Sequence, residues 1–164
     1  MNHKAHVQLE THTVEDTQQF GQLLGRWAKQ SGEPLCIALI GDLGTGKTHL
    51  SQGIAKGFGV TEEITSPTFA IMNTYDVDRT HLYHFDVYRL SEAEEIYEVG
   101  YEDYLNSGGI ILIERADIIK SELPKEYIEI KLFYHEDETR EVELRYVGNP
   151  AKEKEMLKYV DFSN

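Results

Sequence analysis

Cysteine occurs once, tryptophan once and proline four times in this chain of 164 residues. A single thiol cannot close an internal disulfide, so the fold must be held by burial and hydrogen bonding. Cys36 itself sits inside an apolar run, where a free thiol packs as a small hydrophobe. No stretch approaches the roughly 18 apolar residues that a membrane span requires, and the N-terminal region has no apolar core of a secretory signal. The expectation is a cytoplasmic protein with no membrane contact. Basic residues are scarce as well: 16 Lys and Arg against 29 Asp and Glu give a formal charge of -13, which repels a phosphate backbone. The cations are scattered, without a run, so unassisted binding to nucleic acid is not expected. Internal repeats, low-complexity tracts and long Gly/Ser linkers are all missing, which leaves residues 1–164 as one domain. Its 40% apolar content is enough for a core.

What is present reads as alternating helices and strands. Thr13-Val14-Glu15-Asp16 has the spacing of a helix start, and Val14, Phe20, Leu24, Trp27 and Ala28 recur at helical period. A first helix is therefore predicted to about Ser31, preceded by a short N-terminal extension over 1–10. Trp27, on the apolar face, is expected in the core and not under a nucleotide base. Gly32-Glu33-Pro34 breaks the helix, and the run from Leu35 to Ile40 reads as a strand buried on both faces, the mark of a parallel sheet. Leu50, Ile54, Ala55 and Phe58 predict a second helix ending at Gly57 or Gly59. Strands are predicted over 68–76 and 81–89 around an Asp78-Arg79 turn, and an acidic helix over 91–106. A second central strand follows at Ile110–Ile113, then a hairpin over 127–134 and 139–147, and a closing helix at about 150–161. The order is that of an α/β domain, a P-loop NTPase-like mixed β-sheet flanked by helices.

The first strand runs straight into Gly41-Asp42-Leu43-Gly44-Thr45-Gly46-Lys47-Thr48, which fits G-x-x-x-x-G-K-[ST] with a strand before it and a helix after it. Glycines let the backbone turn tightly and bring successive N–H groups to phosphate oxygens, while the helix that follows points its positive end at the same anions. Asp42, Leu43, Gly44, Thr45, Gly46, Lys47 and Thr48 are thus the predicted phosphate-binding residues. Lys47 reaches the β and γ phosphates, and Thr48 places its hydroxyl on Mg²⁺. Chance yields such a string in about one chain in two hundred of this length, and the flanking elements lower that further.

Three further residues are candidates. Glu114 ends the second apolar strand, where an acid is delivered beside the phosphate loop as a metal ligand; the bland alternative is an ordinary strand-end carboxylate. In His84-Phe85-Asp86-Val87-Tyr88-Arg89, strand alternation puts His84, Asp86 and Tyr88 on one face and buries Phe85 and Val87 on the other. Asp86 either orients the attacking water, holds Mg²⁺ through a water, or simply pairs with Arg79 or Arg89. The same alternation turns His81 and His84 opposite ways, so they make a poor metal site. In Thr65-Ser66-Pro67-Thr68-Phe69, the proline stiffens the backbone that presents Thr68, either as a switch-like contact to the γ phosphate and Mg²⁺ or as an ordinary loop residue.

Taken in order, GDLGTGKT, SPTF, HFDVYR and ILIE resemble the TsaE family, the YjeE/YdiB-like P-loop ATPases, from about Thr11 to Val147. The resemblance implies an ATPase, with ATP and Mg²⁺ as ligands, that is an accessory component in making N6-threonylcarbamoyladenosine in tRNA. It also implies docking on the proteins TsaD and TsaB, with tRNA met only through that complex. Carried over by motif, Thr48 and Glu114 are magnesium ligands, Asp86 is the essential acid, Lys47 serves the phosphates and Thr68 is a switch-like contact. Two positions depart from the family: Thr45 stands where Ala is usual, and Arg115 follows Glu114 where Trp is usual. Arg115 is expected to face a phosphate or a partner.

Three other functions are weighed against this one. A small P-loop kinase needs an arginine-bearing lid, and no arginine-rich segment lies between the hairpins. A GTPase needs N/T-K-x-D, which does not occur. A nucleotide-sensing adaptor with incidental hydrolysis is not separable from a working ATPase by sequence. The acidic residues from Glu92 to Asp103 are read as a solvated face, with a docking surface as the alternative.

Overall fold

The computed structural model describes residues 7–11, 13–41, 47–65, 67, 71–137 and 139–160. The strands are β1 (Val7–Thr11), β2 (Leu35–Gly41), β3 (Met72–Val77), β4 (Thr80–Asp86), β5 (Ile110–Glu114), β6 (Tyr127–Tyr134) and β7 (Arg140–Val147). The α-helices are α1 (Val14–Ser31), α2 (Lys47–Phe58), α3 (Tyr101–Leu105) and α4 (Pro150–Tyr159), with 3-10 helices at Ala93–Val99 and Ala116–Glu122. They form an α/β domain around one mixed sheet of order β1-β7-β6-β2-β5-β4-β3. The central strands β6, β2, β5 and β4 run parallel, while the hairpins β3–β4 and β6–β7 and the edge pair β1–β7 are antiparallel.

Local chemistry sets the boundaries of α1. Thr13 Oγ1 accepts the backbone N–H of Asp16 at 3.0 Å, satisfying an orphan donor of the first turn. Gly32 takes the left-handed conformation that ends the helix (φ +65). The helix turns Phe20, Leu24, Trp27 and Ala28 into a core shared with α2 and one face of the sheet, and Trp27 lies edge-on to Tyr146. The tryptophan is therefore a packing residue, as its helical position predicts. The other sheet face carries a second core, with Cys36, Phe85, Ile96, Tyr101, Ile111 and Ile113 among its members. Burial there pushes the Cys36 thiol up to about 12.

Helices α1 and α2 meet backbone to backbone. Gly21 and Gly25 of α1 face Gly53 and Gly57 of α2. A Cβ added at Gly21 would sit 2.8 Å from the Leu50 carbonyl oxygen and 2.9 Å from Ile54 N. One added at Gly53 would sit 2.9 Å from Gln18 Cα. Small residues on both helices are what permit this approach. At the far side, Asn149 caps α4 by accepting the Lys152 N–H at 3.1 Å, and the buried Glu153 accepts the Tyr146 N–H at 2.9 Å, tying α4 to β7.

The structure departs from the sequence reading at several points. The strand expected over 68–76 is seen from Met72, residues 68–70 lying outside the described residues, and the 3-10 helix Ala116–Glu122 is not predicted. Val7–Thr11, expected as an extension, adds an edge strand against β7, with Val7 opposite Leu144. The helix predicted over 91–106 is a 3-10 helix and a short α-helix split at Gly100 (φ +87). Strand β4 stops at Asp86, three residues early, because the Asp86 carboxylate accepts the Tyr88 N–H at 3.3 Å and turns the chain. Tyr88 is thus outside the strand and exposed, not on the face that His84 and Asp86 share.

Candidate functional site

Parallel pairing brings the ends of β2, β5 and β4 to one edge of the sheet. Leu39 pairs with Glu114, and Glu114 pairs with Asp86, so the two acids lie side by side on neighbouring strands. Gly41 follows two residues beyond Leu39, where a Cβ would meet the Leu132 carbonyl oxygen at 2.6 Å, so only glycine lets β2 leave the sheet this close to β6. Open α/β sheets bind ligands outside the carboxyl ends of their strands, and this edge is that place.

Of the predicted phosphate-binding residues, Asp42, Leu43, Gly44, Thr45, Gly46 and Thr68 lie outside the described residues. Lys47 and Thr48 open α2, but their side chains are not described. The acids are fully described. Glu114 is 3% exposed, and its Oε2 receives two partners: His84 Nε2 of β4 at 2.6 Å and Ser51 Oγ of α2 at 3.1 Å. Both partners are wholly buried. Asp86, 9% exposed, points to the same sheet face as Glu114, as the alternation over residues 84–87 predicts, while Phe85 and Val87 enter the opposite core. Burial, and then the neighbouring charge of Glu114, raise the Asp86 pKa above its ordinary value; the Tyr88 N–H, Arg115 and His84 pull the other way without cancelling it.

Among the described residues the ion pair of Asp86 is with Arg115. Arg115 Nε lies 3.9 Å from Asp86 Oδ1, and Arg89 donates to the Tyr88 hydroxyl at 2.7 Å. Arg115 adopts a left-handed backbone (φ +62), a conformation that costs a non-glycine residue about 1–2 kcal/mol. That turn at the end of β5 places its guanidinium by Asp86.

His81 and His84 go separate ways, His81 to Asp76 at 2.8 Å and His84 to Glu114, so the pair forms no metal site. Among the described residues no group of three or more His, Cys, Asp and Glu is placed to hold a metal ion. Two strand-end carboxylates side by side, Asp86 and Glu114, are the kind of oxygen ligands that would suit a hard cation held by few protein groups, as Mg²⁺ is. A cavity of about 590 Å³ opens farther along α2, lined by Gln52, Lys56, Val60 and Ile64. Neither Asp86 nor Glu114 is among its lining residues. Sequence reasoning missed Ser51 and the role of His84. The available signal for Ser51 was a hydroxyl one turn after Thr48, on the helix face whose other members, Leu50, Ile54 and Ala55, are apolar.

The chain matches the family model described as threonylcarbamoyl adenosine biosynthesis protein TsaE over residues 11–142. The tRNA threonylcarbamoyladenosine biosynthesis protein TsaE of Bacillus subtilis is 37% identical over 144 residues, covering 87% of this chain and 88% of the relative. The protein of the same name from Treponema pallidum is 36% identical over 130 residues, covering 79% and 93%. That from Rickettsia felis is 45% identical over 120 residues, covering 72% and 67%. The crystal structure of Bacillus subtilis YdiB superposes with a TM-score of 0.75 at 28% identity, covering 94% of this chain and 93% of that one.

Proposed function

Because this chain belongs to the TsaE family of tRNA threonylcarbamoyladenosine biosynthesis proteins, we propose that it is the Mg²⁺-dependent ATPase of that modification, an accessory subunit that docks on TsaB and TsaD and meets tRNA only through them. The observation that carries the reading is the juxtaposition of Asp86 and Glu114 at the ends of the adjacent parallel strands β4 and β5, with β5 next to the β2 end that leads into the glycine motif. A phosphate cradle alone binds; a cradle with two acids beside it can also direct a water.

In this reading the loop N–H groups of residues 42–48 and the Lys47 ammonium hold the triphosphate, and Thr48 and Glu114 hold the metal. Mg²⁺ held by these residues would supply positive charge to offset the negative charge that develops on the phosphates. Asp86 orients the attacking water; its raised pKa makes it a better proton acceptor than a free aspartate. Thr68 contacts the γ phosphate. The formal charge of -13 accords with a protein that reaches tRNA through protein partners. No helix among the described residues is long and apolar enough to cross a membrane.

Phosphate release from ATP, measured for the chain alone and with TsaB and TsaD while tRNA modification is followed, tests the reading. Slow release alone, a changed rate on docking, and its loss in Lys47→Ala are expected. Rapid release indifferent to both partners, or transfer of the phosphate to an acceptor hydroxyl, overturns it.

A further inference from the structure

A carboxylate has two oxygens with about four acceptor sites between them. In Glu114 both described donors converge on one of these oxygens. His84 Nε2 and Ser51 Oγ both reach Oε2, from β4 and α2 respectively, and among the described residues no group donates to Oε1. A carboxylate acting as a metal ligand only accepts, so in that role Glu114 accepts this 2.6 Å hydrogen bond from His84 Nε2.

His84 is fully buried, and among the described residues its other nitrogen, Nδ1, has no hydrogen-bond partner. A ring with an unpartnered buried nitrogen fills the core less well than Phe or Leu, because that nitrogen loses its water and gains nothing. What the imidazole offers, and an apolar side chain does not, is Nε2–H. Ser51 is likewise a buried hydroxyl on a helix face that is otherwise apolar. Both residues are explained by the carboxylate they meet.

We propose that His84 and Ser51 are positioning residues that lock the Glu114 carboxylate through Oε2 and so dedicate Oε1 to the metal of the bound nucleotide. The proposal rests on the metal role given to Glu114 above. Residues that orient metal ligands in this way are worth about 10–100-fold in metal affinity. A merely structural hydrogen bond changes stability and leaves that affinity alone.

The test is Mn²⁺ binding to the ADP-loaded protein, followed by electron paramagnetic resonance, alongside ADP affinity in EDTA. His84→Phe fills the space without a donor, His84→Gln returns an N–H near the Nε2 position, and Ser51→Ala removes only the hydroxyl. Mn²⁺ affinity is expected to fall about 10–100-fold in His84→Phe and by a smaller factor in Ser51→Ala. His84→Gln should recover most of the loss, and ADP affinity in EDTA should be unchanged throughout. If His84→Phe does not fold, Ser51→Ala and His84→Gln decide alone: wild-type Mn²⁺ affinity in Ser51→Ala overturns the proposal. So does an equal loss of ADP affinity in EDTA. Glu114→Gln separates the two levels: a large loss there with none in the His84 and Ser51 variants sinks the positioning role only, whereas wild-type Mn²⁺ affinity in Glu114→Gln sinks the metal role with it.

Discussion

The glycine seam between α1 and α2 gives a sharp prediction through Gly25→Ala. The added methyl overlaps the Ile54 carbonyl oxygen and lies 2.8 Å from Phe58 N and 3.0 Å from Gly57 C. All three obstacles are main chain, so no rotamer change relieves them. To reach ordinary contact near 3.5 Å the helices must part by roughly an ångström, loosening the core that holds Phe20, Leu24, Leu50 and Ile54. Alanine gains about 1 kcal/mol in helix propensity over glycine. Overpacking costs about 1–3 kcal/mol where side chains yield, and more where backbone must move. The net expectation is a loss of about 2 kcal/mol or more, which for a chain of this size lowers Tm by about 4–8 °C. Thermal unfolding followed by circular dichroism reads this directly, with the exposed Gln19→Ala on the same helix as control. A Gly25→Ala protein as stable as the parent, or stabilised by its helix propensity, refutes the close approach of the two backbones.

Two further substitutions probe the acids. Asp86→Asn should stabilise the protein at neutral pH while stopping turnover. Its pKa is higher in the folded than in the unfolded chain, so the fold favours the protonated form; that advantage is complete below the unfolded value and is lost as pH rises through the folded one. The Tm of Asp86→Asn should therefore exceed the parent's by a margin that widens from pH 4 to pH 8, and a constant margin contradicts the raised pKa. Glu153→Ala leaves the Tyr146 N–H without its buried acceptor. Losing that charge-assisted bond should cost about 1.5–3 kcal/mol in urea unfolding, and a change below a few tenths would show that water replaces the carboxylate.

Much of this architecture was legible in the sequence because each signal was local. The apolar runs at 35–40 and 110–113 became the parallel strands β2 and β5, and the Thr13 cap and Gly32 stop bounded α1 to the residue. Period-two alternation correctly paired His84 with Asp86 on one sheet face. What was illegible depends on distant partners. Val7-Gln8-Leu9-Glu10 alternates, yet a strand of five residues exists only because β7 offers it an edge. The glycines at 21, 25, 53 and 57 look like helix weaknesses until the two helices are placed together. The Ser51–Glu114–His84 contact joins α2, β5 and β4, and no spacing rule links residues so far apart in the chain.

The way the sheet is wired bears on how the protein comes to be functional at all. Its hairpins, β3–β4 and β6–β7, close between near neighbours in the chain, but every pairing that builds the working edge is remote: Leu39 with Glu114, Ile37 with Ile128, Asp86 with Glu114. Such connections carry the entropic cost of closing large loops and form slowly. A chain caught midway, with hairpins and helices in place, holds every residue named above and none of the geometry. The geometry of the strand ends exists only where these distant pairings are made.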